Sequence, residues 1–520
     1  MMHNKELERI IKSVEASSRS WTPQFYETFA YTQPERNYIY RSPGASSASL
    51  KQIPLFTNAG KIGADIFVNR LQNALCPIGK DFVVFSAKKS VSTDIKNALD
   101  GVASGLSEEV NLAKSEKQLD FVIHDALYDL IAGTGVIQSH KTRNGLSYEK
   151  CRLDQIMLGT ERIQTVVRKF KMVARNIGIV FPELFNRTII GNFTITEHNQ
   201  FDEVDLCDVL YYNEETRKYE YYLRQGNETI LTRTYTSSPY HILHWSRSSD
   251  MAFGAGIGTK AVPAIKRLNS YIRNKLELMP FAFPMFVTKM GNLFSNDVKF
   301  KPGGIIQTNG DPKDLIPLKM VQEIQSFQIE IATEELEIKQ TMLDYTLPTD
   351  PKNMTAAEVY ARTNPQTEMV MGNVARLTQV IKDICWELAE EIYNKQLRGL
   401  VNFDFKFLKD NLDCNIVNQT GTDNEMIQRI NAYIANVQFD PTAVWQALKR
   451  SETLEALAKA YNLPSEIRNT ADEIEQQVQN ANLAMAEAQD AAVQAQMAVD
   501  NNKEQAIANR EIAKKQELGV

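Results

Sequence analysis

Glycine and lysine lie close together at residues 254–260, in a spacing that invites comparison with a phosphate-binding loop. The stretch reads Gly254-Ala-Gly256-Ile-Gly258-Thr-Lys260, and a glycine-rich turn before a helix can bind phosphate through backbone N–H groups. A P-loop requires Gly-x-x-x-x-Gly-Lys-Ser/Thr, and this spacing differs from it. We therefore predict a hinge or a close approach of two backbone segments here, and not a nucleotide site.

The other residues that could take part in catalysis or metal binding are too dispersed to form a reaction centre. His241-x-x-His244 is the one close pair among six histidines, and it lies in a strand-like run, where residues three apart face opposite sides. That geometry does not suit zinc. No Gly-x-Ser-x-Gly elbow occurs, and the acidic pairs Glu334-Glu335 and Glu390-Glu391 are typical of solvated helix faces. We predict that the protein is not an enzyme and that it has no metal site and no cofactor.

One electrostatic pattern is more specific, because two predicted helices carry opposite charge. The basic members, in the first helix, are Lys260, Lys266, Arg267, Arg273 and Lys275. The acidic members, in the second helix, are Glu323, Glu330, Glu334, Glu335 and Glu337. The basic helix of one copy could face the acidic helix of the next copy in a closed ring. Pairing within one chain is the alternative, since surface ion pairs form readily.

The elements around these charges predict two long helices that flank a compact insert, which together have the shape of a rod with a tip. An apolar stripe at steps of three and four marks the first helix, which Pro280 and Pro284 end. The insert from Met285 to Leu318 contains glycines and short β-like runs. A second amphipathic helix follows, then prolines at 348 and 351, and Thr355-Ala-Ala-Glu358 opens a third helix as a capping box. Such a shape indicates that the protein is one subunit of a larger assembly.

The remainder of the chain alternates between helical and β character. Before residue 136 we predict a helix over Asn4–Ala16, a loop-rich stretch over Ser17–Gly60, and helices over Ile62–Leu75 and Leu119–Leu130. Residues 136–246 form a predicted mixed, mostly antiparallel β-domain, with a helix at Ala174–Phe181 and a hairpin loop at Gln225–Asn227. Towards the end of the chain we predict strands over Val401–Phe407 and Asp413–Val417, and helix from Asn424 onward. Residues 471–518 carry an alanine-rich heptad seam, which is weak alone and favours packing of many copies or a frayed tail.

Composition bounds the possible functions. The chain has 520 residues, 43% hydrophobic and 23% charged, which favours two to four globular domains. A net charge of −6 excludes a generally basic nucleic-acid-binding protein, so contact with nucleic acid must be local or weak. Five scattered cysteines without a Cys-x-x-Cys pair indicate reduced, buried thiols. No signal peptide or membrane span is evident, so we expect a soluble protein.

Several stretches, in their order and spacing, resemble the portal (head-to-tail connecting) protein of short-tailed, podovirus-type bacteriophages. They are Asp154-Gln-Ile-Met157, Arg168-Lys-Phe-Lys-Met-Val-Ala-Arg175, Tyr240-His-Ile-Leu-His-Trp245, Phe253-Gly-Ala-Gly-Ile-Gly258, Ala264-Ile-Lys-Arg-Leu-Asn269, and Met354-Thr-Ala-Ala-Glu-Val359 with Arg362. The resemblance covers residues 1 to about 420. Pro365 departs from it, and a kink or break in the third helix is expected there.

The resemblance implies an α+β, helix-rich portal fold assembled as a ring. Its parts would be a wing at 1–258, stem helices at 259–282 and 318–343, a clip at 283–317, a tunnel loop at 344–354, a wing helix and strands at 355–420, crown helices at 421–470 and a barrel-like helix at 471–520. The ring, expected to hold twelve copies, would occupy one capsid vertex of the virion after assembly in the host cytoplasm. It would form the channel for packaging and ejecting double-stranded DNA.

The resemblance also implies sites and partners. Thr349, Asp350, Lys352 and Asn353 would face DNA, with Lys352 as the candidate for a transient phosphate contact, although an ordinary solvated lysine is the alternative. The clip lysines Lys289, Lys299, Lys301 and Lys313 would dock the terminase motor and the tail adaptor. Contacts between stems would use Lys266, Arg267, Arg273, Glu330, Glu334 and Glu337. Further partners would be the major capsid protein and scaffold or internal core proteins, with no membrane.

Two other functions stay open at the level of sequence. A coiled-coil scaffold or adaptor would use the C-terminal heptads to bind a partner. A nuclease or hydrolase with an unfamiliar pocket would need a convergent set of acid, base or metal ligands, which the sequence does not present.

Overall fold

The chain divides into two compact units, Met1–Val417 and Asn418–Val520. A computed structural model describes residues 4–36, 54–79, 81–88, 93–142, 145–185, 187, 189–196, 198–279, 285–288, 315–318, 321–343, 356–398, 403–416 and 510. All of these except Arg510 lie in the first unit. That unit mixes helix and strand, as the sequence predicts.

Ten α-helices occur in the described part of the first unit. They are α1 Asn4–Arg19, α2 Thr22–Thr32, α3 Ala59–Leu75, α4 Thr93–Glu116, α5 Leu119–Asp129, α6 Ala174–Val180, α7 Ile257–Leu278, α8 Val321–Thr341, α9 Ala356–Ile392 and α10 Phe405–Asn411. A π-helical turn, Tyr393–Leu397, extends α9. No helix among these residues is both long and apolar enough to cross a bilayer.

The strands pair antiparallel throughout the described residues. They are β1 Val83–Ala87, β2 Thr134–Thr142, β3 Gly145–Cys151, β4 Ile156–Leu158, β5 Val166–Val173, β6 Ile189–Ile190, β7 Phe193–Thr194, β8 Glu203–Asn213, β9 Lys218–Gln225, β10 Glu228–Tyr235, β11 Tyr240–His244, β12 Met285–Thr288, β13 Leu315–Leu318 and β14 Leu412–Ile416. The largest sheet has the order β10-β9-β8-β5-β4, and a second has the order β11-β2-β3. β12 pairs with β13 and β1 pairs with β14.

Two large apolar cores hold most of these elements together, and a small third core joins α1 to β5, β8 and β9. One core joins residues of α3, α4, α5, α7, α8 and α9 with β1 and β14. The other fills the space between the two larger sheets and receives Phe25 and Phe29 from α2. Because α7, α8 and α9 share the first core with α3, burial of apolar surface fixes the root of the rod to the helical part of the unit.

Most predicted elements are confirmed, and the errors have identifiable causes. The stretch Ser17–Gly60, expected to be loop-rich, contains α2. Its proline lies in the first turn, where the missing N–H has no helical partner to lose, so it starts the helix. Buried Phe25 and Phe29 then hold α2 in place.

The predicted strand over Val401–Phe407 is wrong at its described residues 403–407, because Phe403 and Asp404 lie in no strand and α10 begins at Phe405. Alternating apolar residues favoured a strand, but the helix places Leu408 in the core and Phe405 against Trp386 at a centroid distance of 6.1 Å. Tertiary packing outweighs such a short pattern. Of the kink or break expected at Pro365, the break does not occur, since α9 continues through this residue.

Candidate assembly interface

α7 and α8 form an antiparallel pair. Arg267 contacts Glu334 and Glu337, while Tyr271, one turn further along α7, contacts Phe327, which lies earlier in α8 (centroids 6.2 Å apart). The paired strands β12 and β13 follow α7 and precede α8. The described residues therefore contain the two helices that the sequence predicts on either side of the insert. β12 and β13, at the two ends of the insert, pair with each other.

Burial changes along the pair. At the inner end Ile265, Leu268, Ile338 and Met342 are buried in the helical core. Further out, Leu276 and Met279 on α7 are about half exposed. The pair thus leaves the core with apolar side chains still in contact with solvent.

α8 carries the most exposed of these apolar side chains, on the face away from its packed residues. Ile329 is 70% exposed and Leu336 is 56% exposed. Together with Gln328, Ala332 and Thr333 they form an open patch along one side of the helix. The spacing of Ile329, Ala332 and Leu336 by three and four residues makes one continuous stripe, which we call the outer stripe of α8.

The predicted stem charges are largely engaged within the chain. Arg267 donates to Glu334 at 2.7 Å and to Glu337 at 2.8 Å, and these hydrogen bonds raise its pKa. Arg273 donates to Glu277 in its own helix at 2.8 Å. Lys266 donates to Glu27 of α2 and lies over the ring of Tyr31. Pairing within one chain, one of the two alternatives from the sequence, therefore occurs at three of the predicted basic residues.

Five charges on the two helices make no ion pair with another described residue. They are Lys260 and Lys275 on α7 and Glu330, Glu335 and Lys339 on α8, and Lys260, Glu330 and Lys339 are exposed. Glu330 follows Ile329 in sequence and lies about 100° around the helix from it. Its side chain is exposed and can meet a cation from outside the chain.

The loop before α7 is bound closely to the segment between α5 and β2. Gly258 donates its N–H to the carbonyl of Ile131 at 3.0 Å, and Trp245 donates to the carbonyl of Gly133 at 3.0 Å. A Cβ on Gly256 would lie 2.0 Å from the Ile131 oxygen. The glycines thus permit a close approach of two backbone segments, which confirms the prediction from their spacing. This contact also fixes the direction in which α7 starts.

His244, the last residue of β11, also contacts the residues around the start of α7. Its Nδ1 lies 3.1 Å from the Thr134 hydroxyl, and its Nε2 lies 2.8 Å from the side-chain oxygen of Gln164. Thr134 in turn accepts a hydrogen bond from Gly254 N at 2.8 Å. Burial, with a contribution from the charge of Arg247, lowers the pKa of His244 to about 3. The ring is therefore neutral at pH 7.

The second histidine of the pair serves a different contact, as the strand geometry predicts. His241 Nε2 lies 2.9 Å from the carboxylate of Glu387 on α9, which also accepts a hydrogen bond from Ser139 at 2.8 Å. His241 and His244 therefore face different neighbours. Among the described residues no cluster of three His, Cys, Asp or Glu side chains could hold a metal ion.

Two glutamates predicted to lie on solvated faces are instead engaged in contacts. The Glu334 side chain is 9% exposed beside Arg267. Glu391 accepts from Lys117 at 2.7 Å and from the backbone of Leu146 at 2.8 Å. Burial acts to raise the pKa of Glu391, but hydrogen bonds from Lys117 and Lys395 outweigh it, so its pKa is lowered. The prediction was wrong because the partners are far away in sequence.

Several predicted site residues lie outside the described residues. These are the tunnel-loop residues Thr349, Asp350, Lys352 and Asn353, and the clip residues Lys289, Lys299, Lys301 and Lys313. The outer stripe of α8, in contrast, was missed at the sequence level. Ile329 and Leu336 fall outside the face that contains Phe327, Ile331 and Ile338, so apolar residues on two sides of one helix were an available signal.

Comparison with known proteins adds the family. The family model described as "Bacteriophage head to tail connecting protein" matches residues 4–383. No curated protein sequence matches the chain. Among solved structures, a chain of the "Neck of empty GTA particle computed with C6 symmetry" is similar at 12% identity and a TM-score of 0.37, over 77% of this chain and 90% of that one. A chain of the "Virion of native gene transfer agent (GTA) particle" is similar at 10% identity and a TM-score of 0.39, over 77% and 89%.

Proposed function

Because this chain belongs to the family of bacteriophage head to tail connecting proteins, we propose that it forms the portal ring at one capsid vertex of a virion. In this role twelve copies surround a channel through which double-stranded DNA is packaged and ejected. The role is structural, and it requires contacts between copies more than a reaction centre. The contacts between neighbouring stems are the part of the proposal that the described residues can support.

The outer stripe of α8 carries the proposal. Exposed apolar surface in one continuous stripe costs free energy in water, roughly 25 cal/mol for each Å² that a partner could cover. Ile329 and Leu336 are large, and both are more than half exposed. A neighbouring copy that lays the outer part of its own α7 here would cover them, and it would also bury its half-exposed Leu276 and Met279.

Charge complementarity supports α7 of a second copy as the occupant. Pairing within the chain leaves Lys260 and Lys275 on α7 and Glu330, Glu335 and Lys339 on α8 without an ion-pair partner among the described residues. Both unpaired charges on α7 are thus positive, and two of the three on α8 are negative. In a ring, the cations of one copy can approach the carboxylates of the next, which selects orientation more than it adds affinity.

The remaining parts of the proposal follow the family. Residues 1–258 and 355–420 would be the wing, 283–317 the clip that docks the terminase motor and tail adaptor, and 344–354 the tunnel loop with Lys352 near DNA. Residues 421–470 and 471–520 would be the crown and barrel. An acidic chain with few basic residues at the constriction would suit DNA passage, because every additional phosphate contact slows release.

The test is whether the outer stripe of α8 is needed for rings. We expect the full-length chain to form particles of about twelve times the 59.0 kDa chain mass, visible by light scattering and as rings by negative-stain microscopy. Ile329→Ser with Leu336→Ser should raise the protein concentration needed for half assembly by about tenfold or more, since each side chain contributes about 1.5–3 kcal/mol when buried. Phe201→Ser, at a residue that is 65% exposed outside α8, is the matched control.

Two outcomes would contradict the proposal. A wild-type chain that stays monomeric at micromolar concentration across salt conditions does not form a portal ring. Rings that assemble equally well in the double variant and the control would show that the copies meet elsewhere, so the outer stripe of α8 would not carry the interface.

A further inference from the structure

α1 carries its apolar and its basic residues on opposite faces. The apolar face joins the small third core through Leu7 and Val14, which are buried against residues of β5, β8 and β9. The other face carries basic side chains that are all exposed: Lys5, Arg9, Lys12 and Arg19. Because successive helical residues are turned by about 100°, these four positions fall within an arc of about 80°. We call them the basic stripe of α1.

Two of the three acidic residues of α1 are turned towards the sheet and are paired there. Glu15 accepts a hydrogen bond from Lys169 of β5 at 3.1 Å, and a carboxylate oxygen of Glu8 lies 3.7 Å from Arg224 of β9. The third, Glu6, is exposed and lies outside the arc of the stripe. The cations of β5 and β9 thus offset negative charge that would otherwise weaken the attraction of the stripe for an anion.

The stripe itself is open to solvent. Lys5, Arg9 and Lys12 make no ion pair with another described residue. Arg19 lies 3.8 Å from Glu15, but 83% of its side chain is exposed, and such an exposed pair contributes at most about 1 kcal/mol. At a rise of about 1.5 Å per residue, the stripe extends over roughly 21 Å of helix. Its cations can therefore reach an extended anion outside the chain.

The stripe lacks the apolar anchors on which protein interfaces depend. Ala16 is the apolar residue within the arc, whereas Ile10 and Ile11 pack against the third core. Protein interfaces use buried aromatic and apolar side chains and are poor in lysine. A phosphate backbone requires only cations within reach, and duplex DNA presents about one negative charge per 1.7 Å of its axis. The chemistry of the stripe thus fits a phosphate backbone better than an acidic protein.

We propose that the basic stripe of α1 binds the phosphate backbone of double-stranded DNA without reading its sequence. This surface is separate from the proposed channel, in which residues 344–354 face DNA, and binding here does not require a ring. A few exposed cations on an acidic chain give weak binding that depends strongly on salt, since the logarithm of the affinity changes by about 0.9 for each phosphate neutralised. Contact with nucleic acid is therefore local, as the net charge of −6 requires.

The experiment measures binding of the full-length chain, already assembled, to a closed circular duplex by mobility shift between 50 and 200 mM salt. A closed circle cannot thread through a closed ring, so the assay reports surfaces outside the channel. Lys5→Gln with Arg9→Gln and Lys12→Gln should weaken binding at 50 mM salt by about tenfold or more. The slope of log affinity against log salt should become shallower by about 2.7, from three contacts at about 0.9 each.

The matched control removes the same charge elsewhere. Arg162→Gln with Lys218→Gln and Lys406→Gln changes three exposed cations on other elements, and it should keep the wild-type affinity and slope. Lys5→Arg with Lys12→Arg retains the charge of the stripe and should also behave as the wild type. Thermal melting of each variant should match the wild type, because every changed side chain is exposed.

Three results would overturn the inference. A wild-type chain that does not bind the circle at 50 mM salt has no such surface. Equal affinities and slopes for the stripe variant and the matched control would show that the stripe is an ordinary solvated face. Tighter binding to polyglutamate than to the duplex, lost in the stripe variant, would assign the stripe to an acidic protein. Light scattering separates this test from the proposed function, because a chain that forms no ring contradicts the portal role while its binding to the circle still tests the stripe.

Discussion

His244 ties the glycine loop before α7 to the body of the first unit, and its contacts depend on a neutral ring. Its two nitrogens contact Thr134 and Gln164, and no carboxylate lies among these contacts. A proton added in the folded state would gain no anionic partner. In the unfolded chain the same imidazole is in water and accepts a proton freely below its ordinary pKa.

This arrangement predicts a pH dependence of stability. The folded pKa of about 3 lies below the ordinary value of 6.5, so the unfolded state binds the proton first. The contribution of His244 is therefore fully present above pH 6.5 and is lost as the pH falls from 6.5 towards 3, by at most about 1.4 kcal/mol per pH unit. Denaturant unfolding across this window should show a shallower pH slope for His244→Gln than for the wild type.

Exposed His198 provides the control. We expect His198→Gln to keep the wild-type slope. Equal slopes for wild type and His244→Gln would mean that burial of His244 does not couple folding to pH.

At the scale of elements, the start of α7 depends on a backbone approach that only glycine permits. Gly256 lies directly before the helix, and a Cβ there would overlap the Ile131 carbonyl oxygen at 2.0 Å. The neighbour is backbone, so it cannot rotate away as a flexible side chain could. α7 would have to shift relative to α5, and the apolar contacts of Ile257 and Ala261 would shift with it.

We expect Gly256→Ala to reduce the free energy of unfolding by about 1–3 kcal/mol, the usual cost of overpacking. Chemical denaturation measures this directly. Gly101→Ala is the matched control, because Gly101 lies inside α4 with no atom within 4 Å of its added Cβ. That change should be neutral or stabilising by up to about 1 kcal/mol, since alanine favours helix. A Gly256→Ala protein as stable as the control would show that the approach is not tight.

At the scale of the molecule, the proposed ring should depend on the first unit and not on the alanine-rich end. The outer stripe of α8 lies in Met1–Val417, whereas residues 471–520 belong to the second unit. An alanine seam buries little area per residue, so it contributes little to association. Deletion of Ala471–Val520 should leave rings of the same symmetry with an altered opening on the capsid side, as seen by negative-stain microscopy. Loss of every oligomer in the deleted chain would show that the end drives assembly.

The sequence by itself determined the elements whose signals are local. Helical periodicity and flanking prolines predicted α7 and α8, turn residues predicted the β9–β10 hairpin, and the glycine spacing predicted a close backbone approach. Motif order indicated the family, which the family model confirms over residues 4–383. These signals depend on residues a few positions apart, so they can be read without knowing the fold.

Only the tertiary structure decided which distant residues meet. It paired Arg267 with Glu334 and buried Glu391 against Lys117. It also showed that the core covers one side of α8 and leaves Ile329 and Leu336 in solvent. The physical reason is that such contacts depend on how whole elements pack, and packing is set by the combined burial of many side chains far apart along the chain.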